Sequence, residues 1–548
     1  MVGFEREEID CFRSLIAERL GLYFEDAKFD HLADILRARM RATGCARFAA
    51  YLQHLNSAAA GRAESRLLAE QLTVGETYFF RHPDHFRVFA EVALPQRVQA
   101  RGAQRLLRIL SAGCASGEEP YSLAALVREN LADLASWNVT ILGLDINTSF
   151  LEKASRARYS TWSLRDTPEH LRERHFRPEG KEFVLAESLR SMVSFEERNL
   201  MQEDPGLWQA GIFDIIFCRN VTMYFSPDAM RAVVARMTRA LADGGFLFLG
   251  PAETLRGISQ EFHLRHTHDT FYYQRRHSGE TRTMTFAPPR VASVPLETAP
   301  SPVILEPDDS WVGVICRASE RIATLARNST PHIPCASENT AFQSVPLVAC
   351  PPVRPATGGQ ATSGTQKPEI SPARGIAVPL HSTGLKHARE FLGQERFEEA
   401  LEVLQALPPE SAADPDAQLL RAVVLTNQGN VADAERVCQQ VLAIDELNAG
   451  AHYLKALSRE HADDRLAAME QDQIAVYLDP MFAMPHLHLG LLAKRAGDIG
   501  NARRELNHAA TLLAREEPSR ILLFGGGFNR EALIKLCRAE LRACGGST

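Results

Sequence analysis

Paired cysteines are missing from this 548-residue chain: ten are scattered along it, and no two stand in a CxxC or CxxxC spacing. That excludes the usual zinc modules and a disulfide scaffold, and it predicts reduced thiols in a cytoplasmic protein with no metal centre. Basic charge is not in excess either. With a net charge of -7 and a pI near 6.2, no global field favours nucleic acid. No apolar run approaches the ~18 residues that span a bilayer, and the N-terminal "MVGFEREEIDCFRSL" has no secretory apolar core. Neither membrane insertion nor export is expected.

What is present divides by periodicity. Over residues 1 to about 90, "FRSLIAERLGLYF" and "FDHLADILRARMRATG" carry apolar residues at helical spacing and stop at Gly21 and Gly44. From about 104 to 275, short strand-like runs alternate with helical ones: "RLLRILSAG", "NVTILGLDI", "MVSFEE", "FDIIFCRN", "GFLFLG" and a last "TFYYQ". The alternation predicts a mostly parallel sheet covered on both faces. In "SPDAMRAVVARMTRALADGG", Ser226 is expected to cap a helix, Pro227 to open it and Gly244 to close it. Between about 277 and 382 lie fifteen of the 29 prolines, a composition that predicts a disordered linker. One stretch inside it, "SWVGVICRASERIATLAR", has the pattern of a short amphipathic helix.

The last part repeats. "ERFEEALEVL", "GNVADAERVC", "DDRLAAMEQD" and "GDIGNARREL" start 34 residues apart, at Glu395, Gly429, Asp463 and Gly497. Ala400, Ala434, Ala468 and Ala502 fall in register, as do the small residues Ala388, Ala422, Ala456 and Gly490. Small residues at fixed offsets let paired helices approach closely, and the pattern resembles the tetratricopeptide repeat in four units. "FNREALIKLCRAEL" is expected to cap the array.

The first strand-to-helix turn, "SAGCASGEEP" from Ser111 to Pro120, is the natural ligand position in a parallel sheet. It lacks the lysine of a triphosphate loop, and Glu118 and Glu119 at the helix entry would repel a pyrophosphate. Asp145, ending the second strand, is placed to accept hydrogen bonds from ribose hydroxyls. An acid and a ribose without phosphate point to S-adenosylmethionine rather than to a dinucleotide. On these residues alone, a tight turn before an ordinary surface helix stays open.

Further motifs bear on that choice. "TYFFR" (Thr77 to Arg81), "SAGCASGEEPYSLA", "LGLDI", "FCRNVTMYF" and "LADGGFLFLGPAET" together resemble the chemotaxis-receptor protein-glutamate O-methyltransferase family, the CheR type. The resemblance covers residues 1 to about 275. It implies that Thr77 and Arg81 contact the cofactor, with Arg81 also in the active site; that Glu119, Arg219 and Asn220 line its methionine portion; that Asp145 holds the ribose; and that Asn199 and Leu200 flank the adenine. Arg81 and Tyr224 are the implied catalytic residues, Tyr224 facing the methyl group. One departure stands out: Gly75 occupies a position where the family usually has asparagine, so one cofactor hydrogen bond is expected to be missing.

The expected architecture is an N-terminal helical docking domain (1–90), a Rossmann-like α/β S-adenosylmethionine methyltransferase domain (91–276) with a small inserted β-subdomain at about 159–198, the linker (277–382), and an all-α tetratricopeptide-repeat solenoid with its cap (383–548). The implied reaction is methyl esterification of glutamates on the cytoplasmic helical bundle of a chemoreceptor, and the repeats are expected to hold a protein partner. Arg37, Arg39 and Arg41 cluster near a helix end, with Arg37 and Arg41 on one face, as a candidate docking patch or a plain solvated face. Two other functions compete: a scaffold that binds S-adenosylmethionine without catalysis, and methylation of a small acid.

Overall fold

The computed structural model describes residues 4–277, 279 and 380–545, with side chains in the last part from residue 384. The proline-rich segment and its amphipathic stretch lie outside the described residues. Four helices come first: α1 (Arg6–Leu20), α2 (Phe29–Ala42), α3 (Phe48–Asn56) and α4 (Ala60–Leu72). Gly21 closes α1 in the left-handed conformation, φ 76°. Phe12, Ile16, Leu32, Leu36, Tyr51 and Leu68 form their shared core. Arg39 does not belong to a surface cluster. It is buried and meets Glu64 through Nε and Nη2 at 2.8 and 2.7 Å, while Tyr51 Oη donates to the same carboxylate. A buried charge has to be paired, and this one is spent joining α2 to α4.

Two short helices, α5 (Pro83–Val88) and α6 (Leu94–Ala100), lead into the sheet. Its strands are β1 (Leu106–Ala112), β2 (Asn138–Asp145), β6 (Val193–Glu197), β7 (Phe213–Cys218), β8 (Leu241–Leu249), β9 (Phe262–Thr267) and β10 (Thr270–Arg275), in the order β6-β2-β1-β7-β8-β10-β9. The first five pair in parallel; β10 is antiparallel to both β8 and β9. Alternate residues serve opposite faces. Ile109, Ile141, Ile215 and Phe217 join one core with Tyr121, Leu123 and Val127 of α7 (Glu118–Asn130). Leu110, Leu144, Ile216 and Cys218 join another with Val233, Val234 and Met237 of α11 (Pro227–Ala240). Between β1 and β7 the strand order reverses, opening a crevice at their carboxyl ends.

Between β2 and β6 come α8 (Thr148–Arg156), α9 (Glu169–His175), α10 (Glu187–Arg190) and a separate three-stranded sheet of β3 (Arg158–Ser160), β5 (Glu182–Leu185) and β4 (Phe176–Glu179). Since β6 pairs with β2 in the large sheet, the small sheet ends before it, short of residue 198. Ser226 caps α11 by accepting from Ala229 N at 3.2 Å. The helix closes at Leu241 and not at Gly244, because β8 has already begun to pair there, Leu241 opposite Phe213. Strand β9 was not anticipated; its "FHLRHT" is too polar to read as a core strand.

The C-terminal part consists of helix pairs: Leu380–Gly393 with Phe397–Gln405, Pro415–Asn427 with Val431–Ile444, Ala449–His461 with Arg465–Leu478, and Ala483–Arg495 with Ile499–Leu513. Glu395, Gly429, Asp463 and Gly497, spaced 34 apart, all have positive φ. The in-register alanines 400, 434, 468 and 502 are fully buried. At Gly490 a Cβ would stand 2.7 Å from Leu506 Cγ. This arrangement is compatible with tetratricopeptide repeats. The expected capping helix forms as Arg530–Ala543, with Leu533 and Cys537 buried. Among the described residues no helix is long and apolar enough to cross a membrane, and the seven cysteines among them are free.

One buried charge cluster makes the array sensitive to pH. His488 lies between Asp472 Oδ2 at 2.6 Å and Glu460 Oε2 at 3.0 Å. Burial opposes its charge, but the two carboxylates outweigh burial and lift it to about 9. A folded-state pKa above the unfolded value gives stability that is complete below about pH 6.5 and is lost as pH rises through about 9. The calorimetric midpoint of the repeat transition should therefore fall between pH 7 and 9.5, by an amount on the order of 3 kcal/mol in stability. His488→Leu should flatten that dependence; an unchanged slope would remove the cluster as its cause.

Candidate active site

The crevice begins where β1 runs out. Gly113 turns the chain with φ +75°, and a Cβ there would lie 2.3 Å from Val221 Cγ2, so the loops after β1 and β7 can approach only through glycine. Gly113 N and Cys114 N both donate to Leu144 O, tying the turn to the end of β2. Asp145 follows at once. One oxygen accepts from Ala115 N at 2.8 Å and the other from Asn147 N at 2.9 Å, and burial pushes its pKa upward. Each oxygen keeps lone-pair capacity for a ligand.

Two adjoining chambers open from this turn, of about 100 and 170 Å³, sharing Val74, Gly113, Ala115, Asn220 and Tyr224 as walls. The larger is polar. Arg219 is buried there and reaches Glu119 Oε2 at 3.0 Å, while Ser111 Oγ donates to Glu119 Oε1 at 2.7 Å. Burial pushes the Glu119 carboxyl up and the Arg219 guanidinium down, and each charge draws the other back. Arg81 anchors itself by donating from Nη1 to Glu76 O at 2.7 Å. The Nε atoms of Arg81 and Arg219 are both buried without a partner. His82 and His85 flank this side. Burial and the nearby arginines lower them to about 4 and about 3, so both are neutral at physiological pH.

The smaller chamber is apolar, walled by Leu20, Leu22, Leu72, Leu144, Phe150, Leu200 and Val221, with Asp145 and Asn199 on its edge. The helical domain closes it. Tyr23 N donates to Tyr224 O at 2.7 Å, Leu22 bridges to Phe225, and Asn199 Nδ2 donates to Arg19 O at 2.6 Å.

The structure brings all nine expected site residues to these walls. Thr77, Arg81, Glu119 and Arg219 line the polar chamber; Asp145, Asn199 and Leu200 the apolar one; Asn220 and Tyr224 both. Glu118 is different. It turns inward to accept from Ser116 Oγ at 2.7 Å and lines neither chamber, so only Glu119 presents an acid to the site. The sequence reading missed Phe150, Val221 and Glu253. Phe150 accounts for the departure at Gly75, where a Cβ would stand 2.2 Å from the Phe150 ring. The ring fills the space an asparagine side chain would need. Nothing in the local sequence links positions 75 and 150.

These residues suit S-adenosylmethionine. The apolar chamber fits an adenine, Asp145 fits ribose hydroxyls, Glu119 fits a cationic ammonium or sulfonium, and the two orphaned Nε–H groups call for carboxylate oxygens. Replacing Gly75 by Asn should displace Phe150 and weaken binding of S-adenosylhomocysteine about tenfold, the scale of an overpacked site. On a Phe150→Ala background the same change should cost little; equal losses on both backgrounds in calorimetry would refute the pairing.

Comparison with known proteins agrees with the site. Residues 7–73 match the family described as "CheR methyltransferase, all-alpha domain", and residues 75–271 match "CheR methyltransferase, SAM binding domain". The chain is 32% identical over 272 residues to "Chemotaxis protein methyltransferase 2" of Vibrio cholerae, covering 49% of this chain and 93% of that protein. It is 28% identical over 500 residues to "Probable biofilm formation methyltransferase WspC" of Pseudomonas putida, covering 91% of this chain and 97% of that one. To the protein of the same name in Pseudomonas aeruginosa it is 36% identical over 248 residues, 44% of this chain and 56% of that protein. A glycine turn beside a buried aspartate, a helical domain closed over it, and these matches lead to one conclusion: the chain belongs to the CheR methyltransferase family and uses S-adenosylmethionine as its cofactor.

Proposed function

We propose that this protein is a protein-glutamate O-methyltransferase that esterifies glutamates on the cytoplasmic helical bundle of a chemoreceptor-like partner. The observation that carries this reading is the pair of buried, unpartnered guanidinium Nε atoms, Arg81 and Arg219, at one polar chamber beside Tyr224. One anionic tail of the cofactor and one incoming carboxylate would satisfy both. The names of the relatives, chemotaxis on one side and biofilm formation on the other, fit a receptor target in either kind of pathway.

The cofactor supplies an electrophilic methyl group on a sulfonium. The rest falls to the chain. A glutamate side chain, with an ordinary pKa of about 4.3, arrives ionised, so no general base is needed. Arg81 orients that carboxylate, and Tyr224, half-exposed at the mouth, positions a reactant by hydrogen bonding. Glu119 would hold the cofactor's cationic end and Asp145 its ribose. The helical domain over the apolar chamber would exclude water from the adenine end and fix the cofactor's position relative to the incoming carboxylate.

Receptor docking draws on α2. Arg41 is exposed; Arg37 is partly so, sits over Phe4 and pairs with Asp34. Together they offer a positive face to glutamate-rich helices. The repeats are proposed to hold a second protein.

Incubation with methyl-labelled cofactor and receptor membranes should give base-labile methyl esters that release labelled methanol; binding of cofactor without such release would favour the scaffold. Arg81→Ala should lower kcat about a hundredfold while changing S-adenosylhomocysteine affinity much less; equal losses would reassign Arg81 to cofactor binding. Arg37→Glu with Arg41→Glu should raise KM for the receptor several-fold at constant kcat; unchanged kinetics would remove α2 from the docking face.

A further inference from the structure

The loop that carries Asn220 and Tyr224 is held by a residue outside both chambers. Glu253 is 3% exposed, and its carboxylate accepts five hydrogen bonds. Oε1 takes Val221 N at 2.9 Å, Thr222 Oγ1 at 2.8 Å and Met223 N at 3.1 Å; Oε2 takes Asn220 N at 2.7 Å and Gly250 N at 2.6 Å. Asn220 itself adopts φ 58°, a conformation asparagine tolerates but does not prefer. Five donors on one buried carboxylate fix this loop as a template, and without them the left-handed Asn220 has nothing local to hold it.

Glu253 is in turn held by the repeats. Tyr477, at the end of helix Arg465–Leu478, donates from Oη to Glu253 O at 2.9 Å. Its ring stacks on Phe271 of β10, 4.3 Å between centroids and 15° between planes. Ion pairs frame the contact: Arg256 with Asp479 at 2.6 Å, and Glu446 with Arg276 at 2.6 Å, Glu446 also accepting from Leu264 N at 3.2 Å. The apolar core on the α11 face of the sheet runs through Leu255, Phe262 and Tyr273 directly into that of the helix pairs.

Resting on the methyltransferase reading above, we propose that Glu253 is a positioning residue for methyl transfer and that Tyr477 of the repeats holds it in place. The repeat array is then a brace of the active-site loop as well as a partner-binding arm. Strain put on the helix Arg465–Leu478 by a bound partner reaches Asn220, Val221, Thr222 and Met223 through the Glu253 carbonyl and carboxylate, and so the loop that carries Tyr224.

The test uses the full-length chain. Tyr477→Phe keeps the stack on Phe271 and removes the bonds its hydroxyl makes to the Glu253 carbonyl and to the Tyr273 hydroxyl, so a purely packing role for Tyr477 predicts no change. The proposal expects hydrogen exchange at the amides of residues 220, 221 and 223 to rise about three- to tenfold, the scale of one lost hydrogen bond. It also expects kcat for receptor methylation to fall by a similar factor at unchanged receptor KM, with a normal melting midpoint for the repeats. Glu253→Gln, which turns an amide donor toward backbone N–H groups, should do the same more strongly. Should Glu253→Gln fail to fold, Tyr477→Phe still decides. Wild-type exchange at these amides in Tyr477→Phe overturns the coupling whatever the substrate proves to be. A wild-type chain that methylates no receptor glutamate, while Tyr477→Phe still raises exchange at these amides, overturns the substrate assignment alone.

Discussion

Everything in the crevice is arranged around the Glu119–Arg219 ion pair. Neither charge is exposed, and each would be expensive to bury alone. Glu119 comes from the first helix after β1, Arg219 from the end of β7, and Ser111 from β1 itself completes the carboxylate's bonding. The pair thus bridges the two strands where the order of the sheet reverses. It keeps the crevice polar on one side and leaves a carboxylate available to a cation.

A second constraint comes from the ways the loops are tied. The turn after β1 is fastened to β2 through Leu144 O, and Asp145 is oriented by the backbone of that same turn and of its own. The loop after β7 is fastened from behind by Glu253 and from in front by Tyr23. Three regions distant in sequence therefore converge on one crevice, and their backbones are tied to one another. Such preorganisation is what lets orientation lower a barrier without chemical assistance.

Much of this was legible beforehand, for physical reasons. Strands buried on both faces read as continuous apolar runs, so β7 and β8 stood out, with β1 and the second half of β2, and small residues at 34-residue intervals exposed the helix pairs. The polar edge strand β9 did not, since nothing in "FHLRHT" demands burial. The nine residues expected at the site were nameable because they sit in short motifs, seven of them at or just after strand ends and Thr77 and Arg81 in the loop before α5. Phe150 and Glu253 were not. Their importance lies in what they touch across the fold, and a contact between positions 75 and 150, or between 253 and 477, leaves no trace in a local pattern. Glu118 and Arg39 were misread for the converse reason: a charge in a helix says nothing of which way it turns. Glu118 looks into the protein, and Arg39 is consumed by Glu64.

The contact between Gly75 and the Phe150 ring also bears on how this site can change over time. With the ring in place, any side chain at 75 meets it, so a gain of hydrogen bonding there comes with displacement of the ring. Shrinking the ring first leaves an under-filled wall and a weaker grip on the cofactor. Either order passes through a looser site, so a lineage that has adopted the glycine with the phenyl ring regains a well-packed asparagine at 75 only by changing both positions.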